Sequence, residues 1–178
     1  MQQIYIQFVR HENISGELID EIVSLKNEVW HYPRESHLTW ISDNIRPNDI
    51  HLILRNGQQT VGYMNLVELC TNIPGYENNS WGVGNVCIHP EFQGQSYGHL
   101  LMSLTNHFIF KYKALGILIC RDRLVGFYEK CGWHKFYGKC MTTTNVQVEN
   151  NILTSHKIVI PESELVDCQS KLIIDRIF

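Results

Sequence analysis

No apolar run in this 178-residue chain approaches the roughly 20 residues that a membrane-spanning helix requires. A membrane partner is therefore not expected. The N-terminal MQQIYIQFVRHEN has no basic stretch leading into an apolar segment and a cleavage site, so no secretion signal is read and a cytoplasmic protein is expected. Lys and Arg number 15 against 18 Asp and Glu, for a net charge of −3, and they form no block. A basic surface for nucleic acid is thereby excluded. The six cysteines, at 70, 87, 120, 131, 140 and 168, include no C-x-x-C pair, which removes zinc-ribbon and thioredoxin-like readings and leaves reduced thiols. His99 and His107 stand eight residues apart rather than at i and i+4, so no metal is expected either. There is no repeat, low-complexity tract or linker. With 44% hydrophobic residues, that favours a single domain over 1–178 with a substantial core.

What is present is a sequence of short, well-punctuated elements. Residues 3–9 alternate as a strand. Ser15 is placed to cap a helix on which Leu18, Ile19, Ile22, Val23, Leu25 and Val29 recur at helical spacing, ending near Trp30 before Pro33. A second helix is expected over 35–45, stopped by Pro47. Asn56-Gly57 between two apolar runs marks a hairpin, with strands over 50–55 and 60–69. Residues 71–80 are polar and turn-rich. Strands are expected over 81–88, 115–120, 133–143 and 155–160. Helices are expected over 94–112 and over 123–130, the latter capped by Asp122. The segment 172–178 fits strand or helix, and the tail after Pro161 has two possible pairings, a second subunit in a homodimer or its own sheet. The order gives an α/β fold with a mixed, mostly antiparallel sheet, a central parallel strand pair and helices on both faces.

The segment Asn85–Leu101, NVCIHPEFQGQSYGHLL, carries the chemistry. A strand ends at His89-Pro90, a glycine-bearing turn follows, and a helix starts at once. The first N–H groups of a helix have no internal partner, and its macrodipole places partial positive charge there. Gly94 and Gly98 remove side chains where a phosphate would approach. A plain helix cap with glycine as a turn residue is the alternative.

A second segment, GFYEKCGWHKF, decides between them. Together the two motifs, joined by a helix and a buried strand, resemble the GNAT superfamily of acetyl-CoA-dependent N-acetyltransferases. That family's loop reads Gln/Arg-x-x-Gly-x-Gly/Ala, matched here by Gln93-Gly94-Gln95-Ser96-Tyr97-Gly98 after Val86, Ile88, His89 and Pro90. Its Phe-Tyr-Glu-Lys-x-Gly-aromatic signature is matched by Phe127, Tyr128, Glu129, Lys130, Gly132 and Trp133. About 55 residues match closely and the rest by strand order. The chain departs from the pattern at Ser96, where the family has its first glycine: a Cβ there could hold a pyrophosphate away, or the hydroxyl could donate to it.

The resemblance implies acetyl-CoA as co-substrate and a primary amine, on a small molecule or a peptide, as acceptor. It implies that the pantetheine arm lies along 86–88 and pairs with the backbone of Val86, Cys87 and Ile88, and that Gln93 to His99 supply N–H groups to the pyrophosphate. Tyr128 would protonate the departing thiolate, and an ordinary tyrosine pKa near 10 suits an acid. An exposed packing role is its alternative. Glu68 and Glu77 are the carboxylates open to the role of base, with His89 and His99 as alternatives. Arg121 or Arg123, at the second strand-to-helix turn, is suited to a 3′-phosphate. Cys87 as an acyl-accepting nucleophile lacks a neighbouring base and reads better as a buried thiol. Trp30, Trp40 and Trp81 fall in segments that wall the family's acceptor site, and Glu35, Asp43, Glu68 and Glu77 would suit a cationic acceptor. A non-catalytic acyl-CoA sensor, or an acyltransferase using another donor or a hydroxyl acceptor, are the other readings.

Overall fold

The computed structural model describes residues 3–158 and 171–178. The fold is mixed α/β, with four α-helices among the described residues and strands that pair mostly antiparallel. It divides into two compact units, Met1–Val67 with Val83–Thr105, and Glu68–Gly82 with Asn106–Phe178.

In the first unit, β1 (Ile4–Arg10), β2 (Ile50–Asn56) and β3 (Gln59–Leu69) pair in sequence order, all antiparallel. The hairpin turn is Gly57-Gln58 rather than Asn56-Gly57, because β2 extends one residue further and Asn56 pairs with Gln59. Gly57, at φ +60°, takes the first turn position, where a primed turn requires a left-handed residue. Helix α1 (Gly16–Trp30) begins as expected, with Ser15 Oγ accepting the Leu18 N–H at 3.2 Å. It ends at His31, in the left-handed region at φ 50°. Helix α2 (Arg34–Asn44) follows Pro33. Leu18, Ile22 and Leu25 of α1 pack on Ile53, Tyr63 and Cys87. The other face of the sheet carries the start of α3 (Tyr97–Lys111): a Cβ added at Gly62 would meet Ile88 Cδ1 at 2.9 Å and Leu101 Cδ1 at 3.2 Å. Successive residues of β4 (Ser80–Ile88) therefore face opposite layers, Cys87 toward α1 and Ile88 toward α3.

In the second unit, β8 (Asn151–Thr154) lies between β5 (Leu115–Cys120) and β6 (His134–Phe136), antiparallel to both. The strand expected over 133–143 is two strands. Tyr137 and Gly138 interrupt it, and β7 (Lys139–Thr142) leaves to pair parallel with β9 (Lys171–Ile174) in a separate two-stranded sheet. The strand expected over 155–160 lies earlier, at β8. Ser155 Oγ accepts the Gly116 N–H at 2.8 Å and ends that ladder, while 159–160 lie outside the described residues. Residues 171–174 form a strand within this chain's own sheet, held by both ends of the Asn72 amide, which bond Lys171 O at 2.9 Å and Ile173 N at 2.8 Å. Helix α4 (Asp122–Lys130) is not capped by Asp122. Arg121 holds the cap position without a side-chain bond, and Asp122 Oδ1 accepts instead from Asn151 Nδ2 at 2.7 Å. Trp133 is fully enclosed, and its Nε1–H donates to Asn106 Oδ1 at 2.9 Å.

Candidate active site

The strand-to-helix turn of the first unit is built almost wholly from its own polar groups. After β4, residues Pro90–Phe92 form one 3-10 turn, and His89 Nδ1 accepts the Glu91 N–H at 3.3 Å. Gln93 Nε2 donates back to Ile88 O at 3.0 Å, and Gln95 Nε2 donates to Glu91 O at 2.9 Å. His89 N–H bonds Val61 O at 2.9 Å, and Asn56 Nδ2 donates to Tyr97 Oη at 3.3 Å, so both ends of the turn are tied to the β2–β3 hairpin. Helix α3 begins at Tyr97, three residues later than expected, because Gly94 (φ +76°) and Ser96 (φ +67°) are both left-handed and cannot continue a helix.

Ser96 thus holds the backbone conformation for which a glycine would normally be chosen. Its carbonyl accepts the first helical bond, from Leu100 N–H at 3.0 Å. The first turn of α3 contains no acidic residue, and no Lys or Arg occurs between Val83 and Thr105. Within this segment, positive potential comes from peptide dipoles, the arrangement that suits an anion held by main-chain amides. Gln93 departs from its expected role: its N–H is bonded to Pro90 O at 3.2 Å, and its side chain holds Ile88 O. Gln93 shapes the loop rather than donating its N–H to an anion. Gly94, Gln95, Ser96 and His99 are exposed, and Tyr97 and Gly98 half-buried.

Along β4, Asn85 is also left-handed (φ 51°), which breaks the regular pleat before Val86. Its Nδ2 donates to Asn65 Oδ1 at 2.8 Å. Cys87 is buried under α1, and burial, opposed by the Lys26 charge and by a Tyr63 backbone bond, pushes its thiol up to about 12. A thiolate nucleophile is thereby disfavoured at neutral pH.

Of the residues expected from the second unit, Tyr128 is buried on α4, edge-on to Phe127 at 5.0 Å between ring centres. Glu68 and Glu77 are exposed. Arg176 binds the backbone carbonyl of Glu68, and the carbonyl of Glu77 accepts the Thr71 N–H at 2.9 Å. Arg123 is exposed in the first turn of α4. Trp81 packs edge-on to Phe108 at 5.1 Å.

The structure also assembles a polar cluster in the first unit that the sequence reading passed over. His11 Nδ1 and His51 Nε2 are 2.9 Å apart, as are His51 Nδ1 and Tyr63 Oη. Burial, then His11 and Lys26, pushes His51 down to about 4, and burial raises Tyr63 well above its usual value. Lys26 is buried on α1 with its Nζ over Trp30 and Trp40, and burial lowers it to about 8. One signal was available: Lys26 follows Ile22 by four residues and precedes Val29 by three, a cation on the apolar stripe of its helix.

Among the described residues no group of His, Cys, Asp and Glu is placed to hold a metal ion, and no helix is long and apolar enough to cross a membrane. No curated protein sequence matches the chain. Solved structures do match its fold. ElaA of Escherichia coli superposes with a TM-score of 0.63 at 16% identity, covering 86% of this chain and 100% of that one. The aminoglycoside 6'-N-acetyltransferase of Enterococcus faecium gives 0.63 at 14% identity, over 88% and 99%. An aminoglycoside 6'-N-acetyltransferase complexed with coenzyme A gives 0.62 at 13%, over 87% and 99%. The family model described as acetyltransferase (GNAT) domain matches residues 47–135, half of the chain, a span that holds both β4 with its glycine turn and the Phe127–Trp133 signature. The chain belongs to the GNAT acetyltransferases.

Proposed function

We propose that this protein is a single-domain N-acetyltransferase that moves acetyl from acetyl-CoA to a primary amine by direct attack in a ternary complex. One observation carries the reading: the left-handed Gly94 and Ser96 open α3 as a backbone anion site with no acidic residue in its first turn. In this reading, amides of Gly94 to His99 hold the pyrophosphate. The backbone of Val86, Cys87 and Ile88 pairs with the pantetheine arm, an N–H near Ile88 facing the thioester carbonyl as it gains charge. The exposed Arg123 takes the 3′-phosphate. Tyr128 donates its proton to the departing thiolate, and Glu68 or Glu77, directly or through water, accepts the proton of the amine. The fold neighbour complexed with coenzyme A supports the choice of donor.

Thiol release from acetyl-CoA, measured against a panel of amines, tests the proposal. Turnover with any amine, together with loss of coenzyme A affinity in Gly94→Val, is expected. Coenzyme A binding without turnover on the whole panel would instead identify a sensor. Absence of coenzyme A binding would remove the assignment.

A further inference from the structure

The layer between α1, α2 and the sheet of the first unit holds a positive charge that no described residue neutralises. Lys26 is 2% exposed, with its Nζ 5.8 Å from the centre of the Trp30 ring and 4.5 Å from that of Trp40. Among the described residues no carboxylate pairs with it. The titratable groups that feel its charge are His37 from α2, His51 from β2 and Cys87 from β4, and none of them is anionic at neutral pH. His37 is 3% exposed, and its Nε2 has no hydrogen-bond partner. A buried lysine is rarely left unpaired, and indole faces offset only part of its desolvation. A buried imidazole nitrogen without a partner is a second, independent deficit. In the tautomer that carries its proton on Nε2, His37 lacks what Lys26 also lacks, an accepting atom.

We propose that Lys26, set against Trp30 and Trp40, and the buried His37 of α2 bind the carboxylate of the amine acceptor, so that the acceptor is an amino acid or another small amino-carboxylic acid. A carboxylate has two accepting oxygens for the two donors. Its single charge matches the single ammonium, since burial keeps both imidazoles neutral. A phosphate dianion would bring one negative charge too many. Trp30 and Trp40 are each half-buried, so the rim of the cage reaches solvent. Cys87 is the neighbour of Val86 and Ile88. Naming the anion as the acceptor's rests on the assignment of that strand to the acetyl donor, whereas the anion site itself does not.

Two measurements on the full chain test the proposal. Tryptophan fluorescence is titrated with acetate, inorganic phosphate and glycinamide. Acetate should shift the emission saturably and glycinamide should not, with phosphate at least tenfold weaker than acetate. Lys26→Met should weaken acetate binding at least tenfold, and His37→Phe at least threefold, which keeps the test decisive if one variant does not fold. Acetate affinity should fall above about pH 8, where Lys26 loses its proton while His37, His51 and Cys87 keep their charge states. In the second measurement, acetyl transfer to amino acids is compared with transfer to their decarboxylated amines, and kcat/KM should favour the acids at least tenfold, a preference lost in Lys26→Met. Equal responses to acetate and glycinamide, tighter phosphate binding, or wild-type acetate affinity in both variants would overturn the site. If no amine is acetylated, the transfer reading fails and the fluorescence result still stands on its own.

Discussion

Replacing Lys26 by methionine should make this protein more stable at neutral pH, although it removes two cation–π contacts. The Lys26 ammonium is lowered from 10.5 to about 8, chiefly by burial. At about 1.4 kcal/mol per unit, that shift corresponds to about 3 kcal/mol of destabilisation wherever the group is charged in both states. The faces of Trp30 and Trp40 return about 1 kcal/mol, leaving a net cost near 2 kcal/mol. Methionine has a similar length and flexibility, so it fills the slot without a cavity. The pH dependence gives the sharper test. A lysine whose folded pKa is depressed imposes its full cost below the folded value, near 8, and sheds it as pH rises toward 10.5, since the unfolded chain binds the proton more tightly throughout that window. Wild type should therefore close about 1 kcal/mol of its gap to Lys26→Met between pH 7 and 9. The buried thiols work in the opposite sense: Cys87 is raised to about 12 and Cys120 and Cys140 to about 11, so their stabilising contribution is lost above pH 9. They are common to both proteins, and the difference between wild type and variant isolates Lys26. Urea unfolding at pH 7, 8 and 9 provides the assay. A variant less stable than wild type at pH 7, or a stability difference that stays constant from pH 7 to 9, would refute the reasoning.

Other positions give further tests. Ser96→Gly should raise stability by roughly 0.5–1 kcal/mol, since it relieves a left-handed L-residue at φ +67° against the greater unfolded-state freedom of glycine, and should not weaken coenzyme A binding; calorimetry measures both. Gly116→Ala would drive a Cβ into Ile109 Cδ1 and to 2.6 Å from the Trp133 ring, so a loss of about 2 kcal/mol or more is expected in chemical denaturation. Asn106→Leu leaves the enclosed Trp133 N–H and the Cys131 carbonyl without their partner and should cost about 2–3 kcal/mol in the same assay. Tyr128→Phe should lower kcat by at least tenfold with little change in coenzyme A affinity. An unchanged rate removes Tyr128 from the mechanism.

Much of the first unit was legible because its signals are local. Ser15 capped α1 as its side chain suggests, and Pro33 bounded α2. Asn56-Gly57 announced a hairpin, yet the turn sat one residue later, since the glycine was needed at the first turn position and Asn56 could still pair. The start of α3 was misjudged for a related reason. The apolar spacing begins only at Leu100 and so does not fix the first turn, whereas two left-handed residues delay the helix to Tyr97. Asp122 looks like a cap in sequence, but Asn151, 29 residues away, offered its carboxylate a better partner.

Residues 85–101, with residues 126–136, made the family legible, because a glycine turn, a proline stop and a helix start act within a few residues of one another, and the fold then ties both ends of that turn to the β2–β3 hairpin. Tertiary structure alone decided the split of the expected 133–143 strand, where β7 leaves to join a tail strand some thirty residues downstream. It also decided that Lys26, already on the apolar stripe of α1 with Trp30 one turn on, lies against Trp40 and near Cys87 with no counter-charge among the described residues. Burial and charge balance are set by whatever the folded chain brings near from positions such as 40, 51 and 87, and no local pattern around residue 26 encodes those neighbours.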